Sequence, residues 1–378
     1  MIHLKIGNYT NKGDGLMLHA IIDRLQGKDD ITLLPKVAEY KKRASLGLYQ
    51  SFWFESLANP TNQLLTTTFP AKLRKKYGLI VEDEIDAVID ASGFAYGDQW
   101  GPRKIEHMAN DCARWKKQGK KIVLLPQSLG TFKDEKVAEA FRKLLDNVEL
   151  VFARDKSSYE FATSLNHHVN KIKQAPDFTG ALKGKVTDLY RPQPRQACII
   201  PNHRMIDSTD DQIGPRYLPF LKECFDSFTE LGMNPFVLVH ERVDYPVAEE
   251  LQKLVGKPID IVYDNDPLVL RGVISQCHIV ISSRFHGLIS TLSQTVPCLG
   301  TRWSHKFERV MEEYKCQDFL VSPLDDPQKV RAKIVQLDAG ESRQKAIDNI
   351  ASTVAEHQRL NNAMWTEVEE ILGLSNKK

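Results

Sequence analysis

The sequence contains no run approaching the ~18–20 consecutive apolar residues that a membrane-spanning helix requires, so no bilayer crossing is expected. It also lacks an excess of either charge. The 51 Lys and Arg stand against 49 Asp and Glu, a formal net charge of +2, and a nucleic-acid binder usually carries a marked basic excess. The cysteines, Cys112, Cys198, Cys224, Cys277, Cys298 and Cys316, include no Cys-x-x-Cys pair, which removes the usual zinc and dithiol patterns. Several lie in apolar runs such as Cys198-Ile199-Ile200 and read as small buried hydrophobes in a reducing compartment. The opening Met1 to Asn8 lacks a basic start followed by an apolar core; no secretory signal is expected, and the location is read as cytoplasmic. The dinucleotide fingerprint Gly-x-Gly-x-x-Gly and the phosphate loop Gly-x₄-Gly-Lys-Ser/Thr are both missing. No Asp/His cluster is visible in the sequence, and no metal or cofactor is expected.

What is present is the composition of a two-domain globular chain: 378 residues, 42% hydrophobic and 26% charged. Short β-branched runs alternate with stretches of helical period, the pattern of βαβ units around a parallel sheet. In the first half the spacing predicts strands at 3–6, 87–90, 121–125, 150–153 and 171–174. Between them Val137, Phe141, Leu144 and Val148 mark one face of a helix over 132–148. A Pro-punctuated stretch, 190–195, is the expected boundary. Beyond it strands are predicted at 197–200, 235–239, 260–263, 278–282 and 297–300, with a helix over 217–231. The last forty residues read as a long helix. The expected fold class is therefore α/β, with two Rossmann-like domains (1–190 and 195–340) facing a central cleft, and a terminal helix (341–378) returning to the first. Residues 39–78 read as loops and short helices. In such sheets ligands bind outside the carboxyl ends of the strands, so the motifs after strands carry the functional expectation.

The strongest of these is Ile281-Ser282-Ser283-Arg284-Phe285-His286-Gly287, a turn between a strand and an expected helix 288–293. A helix N-terminus attracts anions through unpaired N–H groups and its dipole. Arg284 adds a planar donor fork suited to carboxylate or phosphate, and His286 titrates near neutrality and can move a proton. The plainer reading has Arg284 paired with a surface acid. Gly7-Asn8 to Gly13-Asp14 follows the first strand, and there Asn8 and Asp14 are candidate ligand contacts, although Asp14 also suits a helix cap. The segment Asp90 to Gly101, with Gly93 and Asp98, combines small residues, aromatics and an acid, as a sugar-stacking loop would. Gln127 follows another strand. Arg154 ends the next beside Asp155, its simplest partner. In the second half His203, His240, and Lys306 with Glu308 in a later loop are weaker candidates, since a histidine after a strand is more often structural. The basic Lys72-Leu73-Arg74-Lys75-Lys76 reads as a solvated helix face or, at most, a peripheral contact for anionic lipid.

Taken in order, these motifs resemble the polysaccharide pyruvyl transferase family. The likeness rests on Gly7-Asn8 with Gly13-Asp14, the Gly93 loop, Pro126-Gln127-Ser128-Leu129-Gly130, Ala153-Arg154-Asp155, Ile281 to Gly287, Gln294-Thr295-Val296-Pro297 and Lys306-Phe307-Glu308-Arg309. Thr10, Asn11 and Lys12 lengthen an opening loop that is commonly compact in the family, and Ala91-Ser92 replace a glycine run. The resemblance implies a GT-B-like architecture and an enzyme of polysaccharide or exopolysaccharide biosynthesis. Its donor would be phosphoenolpyruvate, held by Arg284, Phe285 and His286 of the second domain, with Arg154 as a weaker further ligand. His286 would be the catalytic acid or base. The acceptor would be a saccharide, free or lipid-linked, on the first domain. Two other readings stand beside this one: a nucleotide-sugar glycosyltransferase on the same architecture, and a non-catalytic saccharide-binding protein.

Overall fold

The computed structural model describes residues 1–52, 68–187, 190, 193–207 and 211–374. The chain divides into two compact units, Met1–Phe178 with Arg359–Lys378, and Thr179–Gln358. The division falls after Phe178, ahead of the expected 190–195 hinge, of which Arg191 and Pro192 lie outside the described residues.

The first unit is built on a parallel sheet of eight strands: β1 (Ile2–Lys5), β2 (Ile31–Leu33), β3 (Tyr49–Ser51), β4 (Leu79–Ile80), β5 (Ala87–Asp90), β6 (Lys121–Gln127), β7 (Leu150–Ala153) and β8 (Ile172–Gln174). Their order is β4-β3-β2-β1-β5-β6-β7-β8, so the winding reverses between β1 and β5. Ile122 to Leu125 of β6 are all buried, as a strand covered on both faces demands. Helices Pro102–Lys117 and Glu135–Asn147 share one core, to which Ile105, Met108, Cys112, Phe141, Leu144 and Leu145 contribute. Each such side chain contributes about 1.5–3 kcal/mol on burial. The second helix begins at Glu135 instead of near 132 because Asp134 accepts a hydrogen bond from the Lys136 N–H and so caps it there. β2, β3 and β4 were not expected. Each has only two or three residues; β3 lies in the region read as irregular and β4 directly follows it. Part of that region, 53–67, lies outside the described residues.

The second unit carries β9 (Gln196–Ile200), β10 (Asn234–Leu238), β11 (Ile261–Val262), β12 (Ile279–Ser282), β13 (Cys298–Thr301) and β14 (Leu320–Val321). The order β11-β10-β9-β12-β13-β14 is, in local numbering, 3-2-1-4-5-6, the doubly wound order of dinucleotide-binding folds. Its reversal point lies between β9 and β12, paired in parallel from Ile279↔Ala197 to Ser282↔Ile200. All six cysteines are free and buried. The long helix Gly340–Leu372 contributes its first part to the second unit and its part from Arg359 to the first. In the first unit Glu369 pairs with Arg24 and Lys28, and Glu367 with Lys173.

Candidate functional site

At the reversal point of the second sheet, β12 ends at Ser282 and the helix Phe285–Leu292 begins at once. It starts three residues earlier than expected, which puts Phe285 and His286 in its first turn. Its N-cap is Arg284, whose own side chain makes no capping bond, whereas the N-cap residues of the helices after β1, β7 and β13, Asn11, Asp155 and Ser304, each accept one. Gly287 makes the tight approach possible. A Cβ there would meet Ser282 Oγ at 2.8 Å and Ile200 Cδ1 at 3.2 Å.

Arg284 is not paired with a surface acid. Its Nε bonds Asp244 Oδ2 at 2.8 Å and its Nη2 bonds Asp244 Oδ1, in a bidentate fork on a fully buried carboxylate. Asp244 also accepts the His203 N–H at 2.8 Å and the Glu241 N–H at 3.2 Å. The fork is thus held rigidly, with the Nη1 side turned away from Asp244. Ser283 anchors the turn from behind: Tyr217 OH donates to its Oγ (2.8 Å), which donates to Thr301 Oγ1 (3.0 Å). Its carbonyl accepts from Asn202 Nδ2 (3.0 Å) and Trp303 Nε1 (3.1 Å). Burial pushes the Tyr217 phenol up, so it remains a donor. The His286 ring lies edge-on to Phe285 at 5.4 Å between centroids, and Phe285 in turn lies 6.2 Å from Phe307.

The same edge collects the weaker candidates. His203 follows β9, and its Nδ1 lies 3.1 Å from Asp207. His240 follows β10 and is buried, with Nδ1 3.7 Å from Glu241 Oε1. Lys306 and Glu308 lie not in a loop, as expected, but in the first turn of helix His305–Glu313, because Ser304 Oγ accepts from the Lys306 N–H and caps it. Asp244 was missed in the sequence. The only local signal, an acid two residues before Pro246, reads as a helix start and names no arginine partner.

In the first unit the carboxyl edge is mostly self-satisfied. Asn11, not Asp14, caps helix Lys12–Leu25, accepting from the Gly13 and Asp14 N–H groups at 2.9 and 3.2 Å. The Asp14 carboxylate lies so close to Gly7 that a Cβ there would fall 2.1 Å from its Oδ2. Asn8 is exposed and closes its own turn on Thr10. Buried Asp90 accepts from the Ser92 N–H and from Tyr96 OH, and Gln127 Nε2 donates to the Asp90 carbonyl at 3.2 Å. Gly93, at φ +67°, lies against Met17. Asp98 accepts from Thr131 Oγ1 (2.6 Å) and from the Lys133 and Asp134 N–H groups (2.8 and 3.2 Å). Burial opposes its charge, but these bonds hold the carboxyl below its ordinary range. Asp98 is therefore a staple between two loops. Arg154 is buried and its Nη1 lies 3.5 Å from Asp177 Oδ2, while Asp155 caps the following helix.

Two doubly wound parallel sheets, with polar loops concentrated at their carboxyl ends, define a two-domain Rossmann-like protein of the GT-B type. A glycosyltransferase from Rickettsia africae shares the fold at a TM-score of 0.62, with 12% identity over 99% of this chain and 98% of that one. Anabaena HepE, solved with UDP, shares it at 0.58, with 12% identity over 98% and 99%. The amylovoran biosynthesis protein AmsJ of Erwinia amylovora is 23% identical across 82% of this chain and 85% of its own length. The family model for polysaccharide pyruvyl transferase matches residues 11–305, and the chain belongs to that family. It is a transferase of polysaccharide biosynthesis. Among the described residues no helix is long and apolar enough to cross a membrane.

Proposed function

We propose that the protein transfers a pyruvyl group from phosphoenolpyruvate to two hydroxyls of a saccharide, forming a cyclic ketal and releasing phosphate. The observation that carries this reading is the N-terminus of helix Phe285–Leu292 directly after β12, with Arg284 fixed at its N-cap by Asp244. Phosphoenolpyruvate carries a carboxylate and a phosphate on one carbon. A helix N-terminus and a clamped guanidinium are the donors such a polyanion needs, and both are set before it arrives.

The chemistry balances without an outside oxidant or reductant. The methylene carbon of the enol gains a proton and becomes the methyl group. One sugar hydroxyl adds to the resulting cationic carbon and gives up its proton. The phosphate leaves with its bridging oxygen, and the second hydroxyl closes the ketal, its proton going to phosphate. In this proposal His286, in the helix's first turn, moves one of these protons, and Arg284 stabilises the departing phosphate. The first unit takes the saccharide, free or lipid-linked.

The test is thermal stabilisation by phosphoenolpyruvate, which Arg284→Ala should abolish. His286→Ala should keep part of the shift yet release no phosphate when acceptor is present; wild-type turnover there removes its role. HepE was solved with UDP, so stabilisation by a uridine diphosphate sugar and not by phosphoenolpyruvate would favour a glycosyltransferase.

A further inference from the structure

We infer that Asp146, His167 and His168 form a binding site for a zinc-class divalent cation, separate from the transferase site. Asp146 lies in the last turn of helix Glu135–Asn147, and the two histidines lie in the turn before β8. His167 Nε2 lies 2.7 Å and His168 Nε2 3.0 Å from the same atom, Asp146 Oδ1. All three ligand atoms fall within 4.8 Å of one another. A tetrahedral ion with bonds of about 2.0–2.2 Å sets its ligand atoms roughly 3.3 Å apart. The two nitrogen-to-oxygen distances therefore stand a few tenths of an ångström from ligand spacing. Side-chain exposures of 49%, 34% and 42% leave a fourth position open to water.

The backbone is bent to bring the rings together. Asn166 and His168 both have positive φ, 50° and 45°, in the left-handed region that Asn and His enter more readily than most residues. The result is two imidazoles 4.5 Å apart, edge to face, sharing one carboxylate oxygen. Neighbouring cations are occupied elsewhere: Lys116 Nζ bonds the Asp146 carbonyl at 2.6 Å and Lys171 Nζ the Leu145 carbonyl at 2.7 Å.

Two imidazoles and one carboxylate suit zinc, nickel, cobalt or copper, whereas magnesium and calcium prefer oxygen alone. The cluster lies at the amino ends of β7 and β8, while Arg154 follows the carboxyl end of β7, so the ion would clamp a helix end to the turn before the edge strand. It would take no part in the reaction.

The test uses the full-length chain stripped with a chelator and titrated with zinc chloride against a chromophoric competitor. One equivalent should bind, and zinc but not magnesium should raise the Tm. His167→Ala, His168→Ala and Asp146→Asn should each weaken binding by at least about tenfold, the loss already typical of removing an outer-shell partner. Far-UV circular dichroism checks the fold of each, and the double variant His167→Gln/His168→Gln serves if an alanine variant unfolds. Failure of the wild type to bind one equivalent overturns the inference. So does an equally tight equivalent in the double variant, or equal stabilisation by magnesium. None of these readouts depends on phosphoenolpyruvate.

Discussion

Replacing Asp244 by asparagine keeps the volume of a fully buried side chain and removes its charge. The wild-type carboxylate accepts four hydrogen bonds, two from Arg284 and one each from the His203 and Glu241 N–H groups. Each carboxylate oxygen accepts one guanidinium N–H and one backbone N–H, so in either orientation the NH₂ of an asparagine would face both kinds of donor. Breaking a buried ion pair by removing one partner costs about 3–5 kcal/mol. Arg284 is 17% exposed, and water reaching it relieves part of that, so about 2–3 kcal/mol is expected. This lies below the total of about 5–15 kcal/mol typical of domains, so the second unit should still fold. Trp303 is the one tryptophan between residues 179 and 358, and its Nε1 is bonded to the Ser283 carbonyl. Urea unfolding followed by tryptophan fluorescence should therefore show a transition moved to lower denaturant. The variant should also lose most of the thermal shift with phosphoenolpyruvate, because a guanidinium freed from its anchor is no longer pre-aimed. A variant within about 0.5 kcal/mol of wild type that keeps the full shift would refute the view that Asp244 positions Arg284.

Gly287→Ala should destabilise the second unit by about 1–3 kcal/mol, because the new methyl would meet Ser282 and Ile200; urea unfolding measures it. His3 is buried, and burial first, then Lys5, Arg114 and Lys120, push its pKa down to about 3. The unfolded chain takes up that proton below about 6.5 and the native state does not, so stability falls with falling pH through this window, by about 2 kcal/mol at pH 5. Unfolding of wild type and His3→Asn at pH 7 and pH 5 checks this: the variant should lack that share of the acid loss. Asp98→Ala should loosen the 97–101 and 131–134 loops and cost about 1–3 kcal/mol, read from unfolding together with faster amide exchange at Lys133 and Asp134.

Local signals in the sequence reached as far as local causes act. β5, β7, β9 and β12 were legible within a residue or two because they are short continuous apolar runs buried on both faces. The helix after β12 was legible as well, though its start was misplaced: Arg284 sits at the N-cap where no capping side chain marks the boundary. β2, β3, β4 and β14 escaped. What makes each of these a strand is the neighbour that offers it hydrogen bonds; β8 and β11 are as short and were expected, so length alone does not decide legibility.

The sequence by itself determined two α/β halves, the order of their motifs along the chain, the family, and the strand-to-helix turn at Arg284. Those are properties of contiguous residues. Only the tertiary structure decided which acid holds Arg284, since Asp244 lies forty residues away and reaches it because β10 and β12 flank β9. It likewise bonded Asp98 to the 131–134 loop, placed Lys306 and Glu308 on a helix, and brought Asp146 to His167 and His168. Charges find partners by distance in space, and that distance is set by strand order, which the linear pattern does not contain.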